Sequence, residues 1–269
     1  MFEHIFPVGD ELPEQEPSIN KSLHKALRLL SCFREETPEW GVSALSRHLE
    51  ISKSSVSTML TTLATAGLVQ QSPTTRRYRL GLRCLELGYL SSSRLIIRDY
   101  AFPHLEALLG DSNCIVYMAI PYHYDVLYIE ALYPPKRKIN YSAQGRRIPM
   151  HCAGIGKAAL AFMPRTFIEE FLARAPLRRY TPNTITEREA LLAELERTRE
   201  RGYAVDRQER EEDIQCVAAP IRGGDGRLIA SISISGSAQE IPVGKFLELG
   251  REVMQTARDI SVKLASSGY

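Results

Sequence analysis

No apolar run in this 269-residue chain approaches the length of about 20 residues that a bilayer-spanning helix needs. Its start, MFEHIFPVGDELPEQEP, is acidic and proline-bearing, where a secretory signal would be basic and then apolar. Residues 1–18 are therefore expected to form a flexible arm, and the whole to be a soluble cytoplasmic protein without a membrane partner. The five cysteines (Cys32, Cys84, Cys114, Cys152, Cys216) are scattered, odd in number and without a CxxC pair, which argues against a disulfide framework and for reduced thiols used as small core residues. Internal repeats and low-complexity tracts are also missing. The formal charge is only +2, so nothing in the total announces a polyanionic partner. What remains is an ordinary globular composition, 44% hydrophobic and 25% charged, on a chain long enough for two domains.

The charge is unevenly spread. Between Ser18 and Arg83 the cations are Lys21, Lys25, Arg28, Arg34, Arg47, Lys53, Arg76, Arg77, Arg79 and Arg83, against Glu35, Glu36, Glu39 and Glu50 alone. A local basic patch of this kind is the footprint of phosphate binding. Within it, Gly41 to Gly81 reads as a winged helix-turn-helix. Val42 or Ser43 opens a short helix with apolar Leu45 and Leu49, and Ile51-Ser52 turns it. Ser52 then stands as N-cap of a second helix whose Val56, Leu60 and Leu63 recur at core spacing. Its other face carries Lys53, Ser54, Ser57, Thr58 and Thr61, a cation and small hydroxyls suited to lie against base edges and phosphates. Gly67 stops this helix, and 68–71 and 77–80 alternate as two strands around a 72–75 tip. Arg76, Arg77 and Arg79 would bring that hairpin to phosphates or a minor groove. An amphipathic helix over 19–33, with Leu23, Ala26, Leu27 and Leu30 on one stripe, precedes the module.

Further along, the pattern predicts helix over 80–95 and 98–109 with a hinge at Ser91-Ser92-Ser93. Strands are expected at 114–120, 126–132 and, shorter, 138–142. Helices follow at 153–162 and 187–201, the latter capped by Thr186 and closed by Gly202. A hairpin over 216–221 and 228–235 turns at Gly223-Gly224-Asp225-Gly226, and a last helix runs over 243–264.

Three stretches then carry a resemblance: the winged module ending Tyr78-Arg79-Leu80-Gly81; GRRIPMHCAGIGK over 145–157; and GYAVD over 202–206 with CVAAP over 216–220 and SISIS over 231–235. In this order the chain resembles the IclR family of bacterial transcriptional regulators from about Ser18 to its end. The resemblance implies an α+β protein of two domains: a winged helix-turn-helix (19–81), a linker helix (82–97), and an effector-binding and oligomerisation domain (98–269) whose curved antiparallel sheet is flanked by helices. It implies dimers, often paired into tetramers, on palindromic operator DNA. It points to Gly154, Ile155, Asp206, Ile214, Cys216, Ser233 and Ser235 as lining an effector pocket, with Arg137 and Asn140 further along its wall.

Physically, Gly154 at the start of a helix would offer backbone N–H groups to an anion, and Ser233 and Ser235 share one strand face. The expected effector is a small organic acid, a sugar acid before an aromatic one; Tyr141-Ser142 and Gly145-Arg146-Arg147 resemble the sugar-acid branch. Asp213 stands where the family usually has Gly, a replacement that a left-handed backbone tolerates better in Asp than in most residues. No cofactor, resident metal or catalytic residue is expected. Two alternatives remain: metal sensing through His151, Cys152 and Cys216, and a cysteine-dependent enzyme. Adjacent His151 and Cys152 on an extended segment would face apart, and Cys216 sits in an apolar run.

Overall fold

The structure, a computed structural model, describes residues 20–135 and 142–267. The expected arm, Arg137, Asn140 and nearly all of the strand expected at 138–142 lie outside the described residues. The chain divides after Leu95 into two compact units.

In the first unit Asn20 caps α1 (Lys21–Leu30), its Oδ1 accepting the N–H groups of Ser22 and Leu23 at 3.1 Å. Then come α2 (Val42–Leu49), α3 (Lys53–Thr65), β1 (Val69–Gln71), β2 (Tyr78–Leu80) and α4 (Leu82–Ser92). Leu45, Leu49, Val56, Leu60 and Leu63 meet Leu29 and Val69 in one core, as their spacing requires. The stripe expected on α1 is covered only in part: Leu30 packs against the core and Ala26 is half-buried. Leu29 enters the core, while Leu23 and Leu27 stay exposed, because the i, i+4 repeat that unites them lies on the opposite side from Leu29. α4 is likewise apolar on its outside: Leu82, Leu85, Tyr89 and Leu90 are all exposed within a single chain. α4 stops at Ser92, so two of the three hinge serines are helical and the turn falls at 93–95. Trp40 adds an unforeseen bridge, pairing its backbone with Tyr78 of the wing while its indole N–H donates to the Cys32 carbonyl at 2.8 Å.

The second unit runs α5 (Ile96–Leu109), β3 (Ile115–Tyr122), β4 (Asp125–Leu132), β5 (Arg147–Pro149), α6 (Gly154–Ala161), α7 (Arg165–Arg174), α8 (Arg188–Arg201), β6 (Ala204–Arg207), β7 (Ile214–Arg222), β8 (Leu228–Ser237) and α9 (Phe246–Ser266). Its strands form one antiparallel sheet in the order β5-β4-β3-β8-β7-β6. α6 packs against β7 and β8, with α8 behind it; α5 and α9 pack on each other and on the sheet. The alternation of β8 sorts its residues. Ser231 donates to the Ile155 carbonyl at 2.9 Å, so Ser231, Ser233 and Ser235 look toward α6 and Ile232 and Ile234 look away. β5, β6 and α7 were not anticipated; β5 and β6 are three and four residues long, too short to show alternation. Thr186 does not cap α8. The cap position is Glu187, without a side-chain bond, and Thr186 Oγ1 instead accepts from Arg179 at 2.8 Å. Gly202 closes α8 in the left-handed conformation at φ 84.

Asp213 also has a left-handed backbone, φ 65, and its carbonyl accepts the Ala238 N–H at 2.8 Å. Asp213→Gly should therefore hold or slightly raise stability, while Asp213→Val should lose about 1–2 kcal/mol. Urea denaturation of both variants checks this; equal midpoints would contradict it.

Candidate nucleic-acid interface and ligand cavity

Ser52 Oγ accepts the Ser55 N–H at 3.2 Å and starts α3 where Lys53 becomes its first residue. Lys53, Ser54, Ser57, Thr58 and Thr61 are all exposed on one side, opposite the buried Val56, Leu60 and Leu63. Thr58 and Thr61 donate their hydroxyl protons to the Ser54 and Ser57 carbonyls at 3.0 Å. They therefore present oxygen lone pairs and methyl groups outward, which suits base-edge amino groups and thymine methyls. Ser43 lies exposed in the first turn of α2. In the wing, Ser72 N–H donates to Arg77 O at 2.8 Å and Arg76 takes φ 57, which closes the tip and leaves Arg76 and Arg77 exposed. Arg79 pairs across the hairpin with Gln70. With the Gln70 amide oriented oxygen-inward, it accepts from Arg79 at 2.6 Å and aims that guanidinium.

In the second unit a cavity of about 150 Å³ opens between the β3–β8 face and the start of α6. Ile155, Asp206, Ile214, Cys216, Ser233 and Ser235 all line it, brought together from α6 and from the paired strands β6, β7 and β8. Gly154 lies behind this wall. A Cβ there would stand 2.8 Å from Cys216 Sγ and 3.5 Å from Asp206 Cβ, so glycine is required by close approach. Sequence reasoning missed Tyr117, Tyr128, Ile148, Ala153, Arg210 and Glu211, which also line the cavity. The two tyrosine rings stack at 4.7 Å. Register was the missing signal: Tyr117 faces Ser233 across the β3–β8 ladder, a pairing that no one-dimensional pattern announces. Asp213 is exposed and does not line the cavity.

The start of α6 is not an open anion site either. The Gly154 N–H faces the Asp206 carboxylate and the Ile155 N–H faces the Cys216 sulfur, so the protein itself occupies the positive end of the helix. Asp206 is 4% exposed and also accepts the Glu209 N–H at 2.7 Å. Burial pushes its carboxyl up to about 7, the Glu209 charge adding to the effect against Lys157. Ser233 Oγ is buried with no partner but the Cys216 sulfur, and Arg210 Nε is buried and unpartnered, its guanidinium 4.0 Å over the Tyr180 ring. The cavity thus holds unspent polar capacity.

The thiol alternatives lose their footing here. Burial pushes Cys152 and Cys216 up to about 12, out of thiolate range at neutral pH. His151 is buried, its Nε2 lies 3.0 Å from the Arg178 carbonyl, and burial lowers its pKa. Among the described residues no three His, Cys, Asp or Glu side chains are grouped to hold an ion, which corrects the reading of His151, Cys152 and Cys216 as a metal sensor. A larger groove of about 550 Å³ lies at α8, α9 and the β7–β8 turn; none of the residues implied by the resemblance lines it.

A winged helix-turn-helix joined to a domain with a polar cavity defines a DNA-binding regulator with an effector-binding domain. Residues 22–73 match the IclR helix-turn-helix domain and residues 89–262 match the bacterial transcriptional regulator IclR C-terminal domain, so the chain belongs to the IclR family. It is 30% identical over 243 residues to the HTH-type transcriptional regulator XynR of Escherichia coli, covering 90% of this chain and 96% of that one. The crystal structure of the Thermotoga maritima IclR superposes with a TM-score of 0.68 at 31% identity, over 91% of this chain and 98% of that chain. An IclR homologue from Microbacterium hydrocarbonoxydans, solved in complex with 4-hydroxybenzoate, superposes with a TM-score of 0.76 at 26% identity, over 91% and 100%.

The contact at Gly154 predicts a coupled pair. Gly154→Ala should cost about 1–3 kcal/mol by overpacking, and Cys216→Ala in the same chain should recover part of that loss. A double-mutant cycle of denaturation free energies with no coupling between the two would refute the packing account.

Proposed function

We propose that this chain is a cytoplasmic, ligand-responsive transcriptional regulator, not an enzyme, which binds palindromic operator DNA as a dimer or dimer of dimers. It responds to a small organic acid, a sugar acid first and an aromatic acid second, and so controls a carbon-source operon. The observation that carries the reading is the cavity lined by Asp206, Ser233, Ser235 and the cations Arg146 and Arg210. Polar groups converging on one cavity are what fixes a small ligand's orientation. The 4-hydroxybenzoate held by the Microbacterium homologue supports a carboxylate as the ligand class. Family membership and the exposed face of α3 support DNA as the partner, with Lys53, Ser54, Ser57 and Thr58 toward the bases and Arg76, Arg77 and Arg79 toward phosphates. The exposed Leu23 and Leu27 of α1 and Leu82, Leu85, Tyr89 and Leu90 of α4 support a dimer, since an apolar surface of that extent is normally covered. One recognition helix reads only a few base pairs, so two half-sites related by symmetry supply the specificity.

Two outcomes are expected. Arg76→Ala with Arg77→Ala should weaken binding to every DNA sequence alike and lower the log–log salt slope by about 0.9 per lost phosphate contact, read by fluorescence anisotropy across salt concentrations. An unchanged slope would remove the wing from the interface, and a monomer in light scattering, with and without operator, would remove the dimer. Ser233→Ala should leave the stability of the free protein within about 1 kcal/mol of the wild type, because the buried hydroxyl has no partner stronger than the Cys216 sulfur. The same variant should lose several-fold in affinity for any carboxylate that stabilises the wild type in a thermal-shift panel. Equal shifts in both proteins would place the ligand elsewhere.

A further inference from the structure

If the cavity is the effector site, as proposed above, its most buried acidic group is a carboxylate of the same sign as the ligand. Asp206 is 4% exposed and already fills the positive end of α6. Its Oδ1 accepts the Glu209 N–H, leaving Oδ2 to face other groups. Among the described residues no cation is hydrogen-bonded to it. Lys157, the ammonium nearest in effect, donates to Glu209 Oε1 at 2.5 Å and lies 3.8 Å from Glu194 Oε1, so two carboxylates already balance that one charge. Among the described residues Cys216 on β7, Tyr128 on β4 and Cys152 ahead of α6 also face Asp206, each neutral here because burial raises its pKa, and Arg146 adds a cation to the cavity wall. Glu209, from the loop after β6, adds negative charge, and Arg210 and Glu211 of the same loop reach the cavity wall. Ser233, fully buried, has a hydroxyl with no partner but the neighbouring Cys216 sulfur.

We propose that the cavity takes up its carboxylate ligand together with one proton, drawn from solvent onto Asp206 and donated to a ligand carboxylate oxygen, with the Ser233 hydroxyl as second donor and Arg210 as the cationic partner. Two carboxylates brought together beside the Glu209 charge repel, and one proton held between them relieves that repulsion. Burial has already brought Asp206 to about 7, and an entering anion pushes it higher. The ligand class follows: a carboxylate that can present one oxygen as an acceptor to Asp206 and Ser233. Binding is then linked to pH near neutrality.

The test uses the full-length protein with D-gluconate and 4-hydroxybenzoate as probes, titrated calorimetrically at pH 6, 7 and 8 in buffers of different ionisation enthalpy. Proton uptake should rise toward one per site at pH 8, with affinity falling about tenfold per pH unit above the free-protein value. Asp206→Asn, whose amide can donate without titrating, should bind with a flat pH profile. The carboxyl ¹³C resonance of Asp206 in the unliganded protein should titrate near neutral pH, which tests the idea even should the Asn variant not fold. Binding without proton uptake, the same pH dependence in Asp206→Asn, or titration in the ordinary carboxylate range would each overturn the proposal while leaving the cavity as effector site. No binding of either probe at any of the three pH values would overturn it along with the reading on which it rests.

Discussion

The second unit is organised around one buried ammonium. Lys157 sits on α6 with none of its surface exposed, and a charge so placed has to be neutralised where it stands. Glu209 and Glu194 do this from the loop after β6 and from α8, and Arg201 shares Glu194 at 2.7 Å. Burial alone would raise Glu194, but Lys157 and Arg201 outweigh it and hold the carboxyl below its usual value. Thr181 and Thr184 then fix the same loop by donating to the carbonyls of Gln208 and Glu209, at 2.7 and 2.6 Å. Removing one partner from such a cluster costs about 3–5 kcal/mol, because the other charge is left alone in the interior. The positions of Asp206 and Arg210 at the cavity follow from this anchoring, since both belong to the segment that Glu209 ties down.

The first unit depends on apolar packing instead. Leu29, Leu45, Val56 and Leu60 are fully buried, and they lock α2 and α3 together so that the opposite side of α3 has no structural duty. That side is free to be small, hydroxylated and cationic, and the hydroxyls of Thr58 and Thr61 fold back on the helix without weakening its core contacts. That polar face is legible for this reason: a helix with a three-residue core stripe leaves its remaining positions to solvent. The wing was equally plain, because β1 and β2 are adjacent in the chain and their pairing is local.

The cavity was only partly legible. Asp206, Cys216, Ser233 and Ser235 came from a family pattern, and the ladder does set Asp206 beside Cys216 and Cys216 beside Ser235. Tyr117, Tyr128 and Arg210 carried no local sign of their place, since β3 and β8 lie more than a hundred residues apart in sequence yet are neighbours in the sheet. Gly154 was read as an open anion site from its position before a helix; its surroundings show a tight crossing against Cys216, with Asp206 filling the role assigned to the ligand. In the same way Leu23 and Leu27 looked like core by periodicity and are exposed, because a helix can carry two apolar stripes and only its neighbours decide which is covered.

The sequence by itself determined the elements whose signals are local: the capped α3 with its core stripe, the wing, the Gly202 stop of α8, the glycine-rich turn between β7 and β8, and the left-handed residue tolerated at Asp213. Tertiary structure alone decided which carboxylate meets which cation and which strand faces share a cavity. It also decided that a buried aspartate lies at the start of α6 with its ionisation held back to near neutrality. Capping and periodicity act over one turn or one strand pair, whereas desolvation and charge pairing depend on groups that come together only when α6, α8 and the sheet close over them.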